Sequence, residues 1–145
     1  MKRYILVFCC LFFLISLIIY GQTTTTPVNV TNAFNLKYPT AQNVQWSSQG
    51  KNFKAIFLAD GFNYETMYNI NGNWLVTQRT ISFNELPTVV KTSLSGGKFS
   101  NWKINDVFIL FYPGMITKYS IHISKDGNSK NLLMSWDGKL LDDNF

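Results

Sequence analysis

Turn dipeptides of the Asp-Gly and Asn-Gly type recur along the chain at a repeated interval. They are Asp60-Gly61, Asn71-Gly72, Asp126-Gly127 and Asp137-Gly138, and the interval between the first two equals the interval between the last two. Between β-rich runs, such dipeptides are the strongest short-range signal for a β-hairpin, because both turn positions require a positive φ. The sequence therefore predicts an antiparallel meander in each half of the chain.

A short amphipathic helix is predicted before each meander. In two segments, four apolar residues stand at positions i, i+3, i+4 and i+8, which is the spacing of one helix face. They are Val30, Ala33, Phe34 and Tyr38 in the first segment, and Leu86, Val89, Val90 and Leu94 in the second. We expect Asn29 or Thr31 to cap the first helix, and Pro39 to end it because a residue before proline avoids the helical conformation.

The double occurrence of helix and meander predicts the fold class. We expect an α+β fold of two tandem helix-plus-antiparallel-meander repeats, forming one sheet with the helices packed on one face. The first repeat would span about 29–82 and the second about 83–145. The chain has 145 residues, of which 46% are hydrophobic and 14% charged. This length and composition are typical of one compact domain and exclude a disordered protein.

The N-terminus indicates export. Lys2 and Arg3 precede an uncharged apolar stretch, Tyr4–Tyr20, and the small residue Gly21 follows without a basic cluster after it. We therefore expect a signal peptide over residues 1–21, a polar linker over residues 22–28 and a periplasmic or extracellular location. An uncleaved membrane anchor is the alternative, since the stretch reaches the lower limit of a membrane-spanning length.

The charge pattern argues against nucleic-acid binding. The formal net charge is +5, but the basic residues after the N-terminal segment are scattered rather than clustered into a stripe. The two cysteines, Cys9 and Cys10, lie within the apolar stretch. Cleavage would therefore leave an exported protein without disulfides and without stable membrane insertion.

Several short motifs, in this order, resemble a known family. They are Ala33-Phe34, Lys37-Tyr38-Pro39, Val44-Gln45-Trp46, Phe53-Lys54-Ala55-Ile56-Phe57, Asn71-Gly72-Asn73-Trp74-Leu75, Leu86-Pro87, Val90 and Trp136-Asp137-Gly138-Lys139-Leu140-Leu141. Over residues 28–141 the chain resembles the PepSY-like family of exported bacterial proteins, which are related in fold to the β-lactamase-inhibitor protein. The segment Lys98–Trp102 departs from this pattern, because it lacks the tyrosine-proline pair of the first half.

The resemblance implies a function without catalysis. Family members are expected to form an antiparallel sheet with helices on one face, and to bind a protein in the envelope. Inhibition of a protease or another hydrolase is the more specific implication. The resemblance implies no cofactor, no metal and no catalytic residue.

The residues themselves supply little catalytic chemistry. His122 is the only histidine, so a zinc site or a nucleophile–histidine pair would depend on it alone. An envelope hydrolase would have to combine His122 with Glu65 or Asp106. We regard this as a lesser alternative and predict no catalytic, metal-binding or cofactor-binding residue.

Aromatic residues are the candidates for binding. We expect most of them to fill the core, and those exposed on the free face of the sheet to contact an unidentified protein partner. The candidate protein-binding aromatics are Phe53, Phe57, Tyr64, Tyr68, Trp74, Trp102 and Tyr119. A carrier that holds a small apolar ligand in a hollow of the sheet is the alternative.

Overall fold

The computed structural model describes residues 25–145, with two helices and eight strands. The elements in chain order are α1 (Val28–Lys37), β1 (Gln42–Gln49), β2 (Asn52–Ala59), β3 (Phe62–Asn69), β4 (Trp74–Ile81), α2 (Thr88–Gly96), β5 (Lys103–Tyr112), β6 (Ile116–Lys125), β7 (Asn128–Ser135) and β8 (Leu140–Asp142). Short 3-10 turns lie at Phe83–Glu85 and Pro113–Met115. The predicted signal peptide and residues 22–24 of the linker lie outside the described residues.

All eight strands form one antiparallel sheet in the order β1 to β8, so each strand pairs with its neighbours in sequence. The helices have only 10 and 9 residues. The expected α+β fold of two helix-plus-meander repeats is therefore wrong. The molecule is a mostly β protein with a single eight-stranded sheet and two short helices. Apolar spacing predicted where helices form, but the helices are short, because Pro39 and Gly97 follow them closely.

The strands follow from alternating polarity. In β2, Phe53, Ala55, Phe57 and Ala59 are buried, whereas the residues between them are not. Side chains of successive strand residues point to opposite faces, so one face of β2 belongs to the core. The same alternation in β6 buries every second residue from Tyr119 to Ile123.

The predicted hairpin turns are confirmed at two positions. Asp60 and Gly61 have φ values of 50° and 79°, and Asp126 and Gly127 have 50° and 78°. These positive values at both residues are typical of the two-residue turns whose twist matches the flanking strands. The turn at Asn71-Gly72 differs, because Gly72 alone has a positive φ, of 81°.

Two other turn glycines fit closely against the helices. A Cβ at Gly72 would lie 2.8 Å from the carbonyl oxygen of Asn29 in α1. A Cβ at Gly138 would lie 2.8 Å from the carbonyl oxygen of Val89 in α2. The β3–β4 and β7–β8 turns therefore hold the two helices against the same face of the sheet.

The cap of α1 differs from the expectation. The helix begins after Pro27, whose carbonyl oxygen accepts hydrogen bonds from Val30 and Thr31. Asn29 and Thr31 lie inside the first turn, and the Asn29 side chain donates to the carbonyl of Ile70. The predicted capping by either residue is wrong, because proline with an extended backbone already starts the helix.

The core consists of two clusters on the helix-bearing side. The cluster under α1 contains Val30, Phe34, Phe53, Ala55, Phe57, Ala59 and Tyr68. The cluster under α2 contains Ile81, Leu86, Val90, Leu94, Val107, Tyr119, Ile121, Ile123, Leu132 and Met134. Within residues 25–145, neither helix is long and apolar enough to cross a membrane.

Candidate functional site

The seven candidate aromatics all lie in the two core clusters or against them. Phe53, Phe57 and Tyr68 are buried under α1, and Tyr119 is buried under α2. The partly buried ones are Tyr64 and Trp74, against the first cluster, and Trp102, against the second. Tyr64 and Trp74 also line a surface cleft.

This cleft, which we call the aromatic cleft, has a volume of about 470 Å³ and lies where the sheet continues beyond the end of α1. Its walls come from the end of α1, the β2–β3 turn, the start of β4 and the β5–β6 turn. It is lined by Lys37, Tyr38, Ala59, Asp60, Tyr64, Trp74, Thr77, Phe111, Tyr112, Met115, Ile116 and Thr117. Five of these side chains are aromatic, so the cleft combines flat ring surfaces with the hydroxyl, ammonium and carboxylate groups of the other lining residues and of the tyrosines.

A chain of hydrogen bonds fixes the floor of the cleft. Thr77 Oγ1 donates to Thr66 Oγ1 over 2.8 Å, and Thr66 Oγ1 in turn donates to the carbonyl of Val76. The indole Nε1 of Trp74 donates to Thr77 Oγ1 over 2.8 Å. Since the single Thr77 proton is already used, the Tyr38 hydroxyl that contacts Thr77 must be the donor. Thr77 thereby orients both Tyr38 and Trp74, one on each side of the floor.

The ammonium group of Lys37 lies over two aromatic rings of the cleft. Its Nζ lies 3.5 Å from the centre of the Trp74 ring and 5.7 Å from the centre of the Tyr38 ring. A cation over an aromatic face is attracted by the ring quadrupole. Lys37 is also the last residue of α1, where a cation is favoured by the helix dipole. Both effects hold the ammonium group at the cleft.

The β5–β6 turn forms the outer wall and projects apolar side chains into solvent. Met115 is 98% exposed and Ile116 is 51% exposed. Gly114 and Met115 both have positive φ values, of 76° and 58°. A positive φ is costly for methionine, and backbone strain of this kind is concentrated at functional sites. The turn therefore combines strain with exposed apolar surface beside the cleft.

Burial raises the pKa of two tyrosines that line the cleft. Desolvation by burial raises the pKa of Tyr38, and its hydrogen bond to Thr77 opposes this only in part. Desolvation by burial also raises the pKa of Tyr112. Both hydroxyls are therefore neutral at physiological pH, and Lys37 and Asp60 are the ionisable side chains that can carry charge in the cleft.

The opposite face of the sheet carries the polar residues that a hydrolase would need. His122 Nδ1 lies 3.4 Å from Asp106 Oδ2, as expected for residues paired between β5 and β6. Glu65 instead pairs with Lys54, at 3.6 Å, and lies on β3. Three strand spacings separate β3 from β6, about 14 Å. The structure thus brings together His122 and Asp106 but not Glu65.

A metal site requires several ligating side chains grouped together. Among residues 25–145, no three His, Cys, Asp or Glu side chains are grouped closely enough to hold a metal ion. No hydroxyl group in the same range is hydrogen-bonded to His122, whose side chain contacts Asp106.

Sequence reasoning did not single out several cleft residues. Lys37 and Tyr38 stood only in a helix-end motif, and Phe111 was considered only among the aromatics in general. Met115 carried no signal, since an exposed methionine has no pattern of its own. The Pro113-Gly114 pair is typical of a turn, and a turn flanked by aromatic and apolar residues is the signal that could have located this wall.

Comparison with known proteins shows relatives among solved structures. No protein-family model matches the sequence, and no curated protein matches it. A DUF2874 family protein from Bacteroides ovatus is 27% identical, with a TM-score of 0.77 over 83% of this chain and 87% of that chain. A protein from Bacteroides eggerthii, provisionally described as periplasmic, is 22% identical, with a TM-score of 0.75 over 82% of this chain and 88% of that chain, and shares the fold.

A third structure bears on the family. A BLIP-like protein from Bacteroides fragilis is 31% identical to this chain, with a TM-score of 0.73 over 80% of this chain and 83% of that chain. Identity at this level over most of both chains goes beyond a shared fold. The expected relation to a BLIP-like fold is confirmed, whereas membership of the PepSY family stays a prediction. The chain belongs to the family of this BLIP-like protein.

Proposed function

We propose that this protein is an exported, non-catalytic module that binds another protein through the aromatic cleft and the β5–β6 turn. The observation that carries the proposal is Met115, 98% exposed in a strained turn that borders the cleft. The partner is an envelope protein. Exposed apolar side chains beside a preformed pocket are the usual centre of a protein interface.

The physical basis is the combination of a rigid floor with projecting apolar groups. The hydrogen bonds of the floor fix the side chains of Thr77, Tyr38 and Trp74 relative to one another. A preformed pocket lowers the entropy cost of binding, because its side chains are already ordered. Met115 and Ile116 would then pack on the partner, while a side chain of the partner enters the cleft.

Inhibition of a protease or another hydrolase is the more specific form of this proposal. It is supported by the name of the Bacteroides fragilis relative, which is described as BLIP-like. It also follows from the resemblance to the β-lactamase-inhibitor fold. Export is supported by the predicted signal peptide and by the relative that is provisionally described as periplasmic.

The test is partner capture with a matched variant. Tagged residues 22–145 would be incubated with an envelope extract of the source organism, beside the variants Met115→Asp and Trp136→Asp. Trp136 is 66% exposed on the β7–β8 turn and does not line the cleft. We expect one protein to be enriched by the wild type and by Trp136→Asp, and lost with Met115→Asp. Equal capture by all three, or no enrichment from folded protein, would contradict the proposal.

Carriage of a small apolar ligand is the second candidate, and the volume of the aromatic cleft favours it. About 470 Å³ lies within the range of small-molecule pockets. Native mass spectrometry of the protein purified from its own organism would detect a bound molecule as an added mass. A molecule that is retained by the wild type and by Trp136→Asp, but lost when Tyr64 is replaced by a charged residue, would favour this candidate.

A further inference from the structure

We infer that the aromatic cleft is selective for an apolar ring system that carries one negatively charged group, with Lys37 as the counter-ion. This inference rests on the second candidate function, carriage of a small ligand, because it names the chemistry of the molecule that would occupy the same cleft. The anionic group is a carboxylate or a sulfonate, and the rings lie between the aromatic walls.

The first argument concerns the ion-pair partners of Lys37. Within residues 25–145 its ammonium group has no carboxylate within 4.0 Å, whereas Lys54, Arg79 and Lys98 each have one. Its contacts are the faces of Trp74 and Tyr38. A ring face satisfies a cation only on one side, so the ammonium protons remain available to an anion.

The second argument is the character of the walls. Tyr64, Phe111 and Tyr112 line the cleft beside Trp74, and their rings can stack on or meet the edge of a ligand ring. Tyr112 is itself half-buried, and burial raises the pKa of its hydroxyl. Lys37 is exposed, so an incoming anion can reach its ammonium group while the ligand rings pack against the walls.

The third argument is the arrangement of the two charges. Asp60 is the carboxylate of the cleft, and it forms no ion pair with Lys37 within the described chain. An anion near Asp60 would be repelled, while one at Lys37 would be attracted. The two side chains therefore favour one orientation of an anionic ligand, in which its charged end faces Lys37 at the end of α1.

The experiment uses two fluorescent probes that differ by one charged group. 1-Anilinonaphthalene-8-sulfonate carries a sulfonate, and N-phenyl-1-naphthylamine has the same rings without it. Both would be titrated into residues 22–145 and into the variants Lys37→Gln, Lys37→Arg and Lys51→Gln. Lys51 lies in the β1–β2 turn and does not line the cleft, so its variant controls for net charge. Thermal unfolding would verify that each variant is folded.

We expect Lys37→Gln to weaken binding of the sulfonate probe about tenfold, because one charge-assisted hydrogen bond is lost. The affinity for the neutral probe should change less than about twofold, because this probe has no charged group that Lys37 could bind. Lys37→Arg should restore the affinity for the sulfonate, and Lys51→Gln should leave both probes unaffected. The ¹H–¹⁵N signal of the Trp74 indole should shift on binding of either probe.

Two results would overturn the inference. If Lys37→Gln weakened both probes equally, or neither, the cleft would bind rings without selecting charge, and the proposed function would stand unchanged. If the probes shifted signals of the opposite sheet face, such as those near His122, and left Trp74 unaffected, the ligand site would lie elsewhere. Failure of the proposed function is separate, since it is measured by loss of protein capture with Met115→Asp.

Discussion

The hydroxyl groups of Thr77 and Thr66 lie 2.8 Å apart, between paired residues of β4 and β3, and both threonines are buried. This contact starts a chain of hydrogen bonds that also orders Tyr38 and Trp74. Each hydroxyl proton in the chain has one acceptor, and removal of the Thr77 hydroxyl would leave both the Tyr38 hydroxyl and the Trp74 indole without theirs. The floor of the aromatic cleft therefore behaves as one unit.

Replacing Thr77 by valine should destabilise the protein by about 2 kcal/mol, because the Tyr38 hydroxyl and the Trp74 indole would each lose their acceptor. Urea unfolding monitored by fluorescence would measure the change. Thr117→Val is the matched control, because Thr117 lines the same cleft and its hydroxyl makes no hydrogen bond within the described chain. Equal losses for the two variants would show that the hydrogen bonds of Thr77 contribute no net stability.

Gly72→Ala and Gly61→Ala should differ in their effect on stability. Both glycines have a positive φ, which costs an alanine about 1 kcal/mol. A Cβ at Gly61 meets no atom within 4 Å, whereas a Cβ at Gly72 would approach the Asn29 carbonyl to 2.8 Å. We therefore expect Gly72→Ala to lower the free energy of unfolding by at least about 1 kcal/mol more than Gly61→Ala does. Similar midpoints in urea would argue against tight docking of α1 on this turn.

Tyr68→Phe should stabilise the protein, which is unusual for a change in the core. The ring of Tyr68 is buried under α1, and its hydroxyl oxygen has no hydrogen-bond partner among residues 25–145. Removing a buried unpaired hydroxyl should raise the free energy of unfolding by about 1 kcal/mol. Tyr119→Phe serves as the comparison, since Tyr119 is similarly buried and its hydroxyl is not among the buried unpaired groups. A loss of stability in Tyr68→Phe would imply a partner for this hydroxyl, such as an internal water.

Stability should fall at alkaline pH, and Tyr68→Phe should reduce the fall. Burial raises the pKa of Tyr68 and the nearby Tyr38 hydroxyl raises it further, while the Thr66 hydroxyl opposes these effects only in part. As pH rises past the ordinary tyrosine pKa of about 10, the unfolded chain loses this proton while the folded protein keeps it. Unfolding is then favoured, so the contribution is neutral below this pH and destabilising above it. Urea midpoints of the wild type and the variant, measured between about pH 8 and 11, should diverge with increasing pH; parallel curves would contradict the assignment.

Asp60→Asn should strengthen binding of the sulfonate probe by a few fold, because it removes the negative charge that opposes an anion in the cleft. Asparagine tolerates the positive φ of this turn, so the backbone should not change. Asp126→Asn is the matched control, since Asp126 has the same φ of 50° in the β6–β7 turn, away from the cleft. An equal gain in both variants would indicate a general effect of net charge.

Some of these features could be predicted from local sequence. The turns at Asp60-Gly61 and Asp126-Gly127 depend on positive φ values at both residues, and few residue types favour that conformation. Helices were expected where apolar residues follow a helical spacing, and α1 and α2 lie there. The predicted cap of α1 was wrong. Pro27 starts the helix instead, and it does so through its extended backbone, with φ −58° and ψ 144°.

The fold class and the site could not be predicted in the same way. Helical spacing locates a helix but does not state how much of the sheet it covers, and both helices end after fewer than three turns. The cleft exists because α1 ends at Lys37 while the sheet continues beneath it. Tyr38 and Tyr112, 74 positions apart in the sequence (112 − 38), meet there only through the sheet.

By itself, the sequence determined the turns, the alternation of the strands and the short apolar faces of the helices, because these depend on the conformational preferences of neighbouring residues. Tertiary structure alone decided that a cleft forms where the sheet extends beyond α1, and that Lys37 rests on Trp74 with no carboxylate within 4.0 Å among residues 25–145. Those outcomes depend on contacts between distant segments. Their physical origin is the burial of apolar surface, which is not directional, so a local apolar pattern does not specify which distant segments meet.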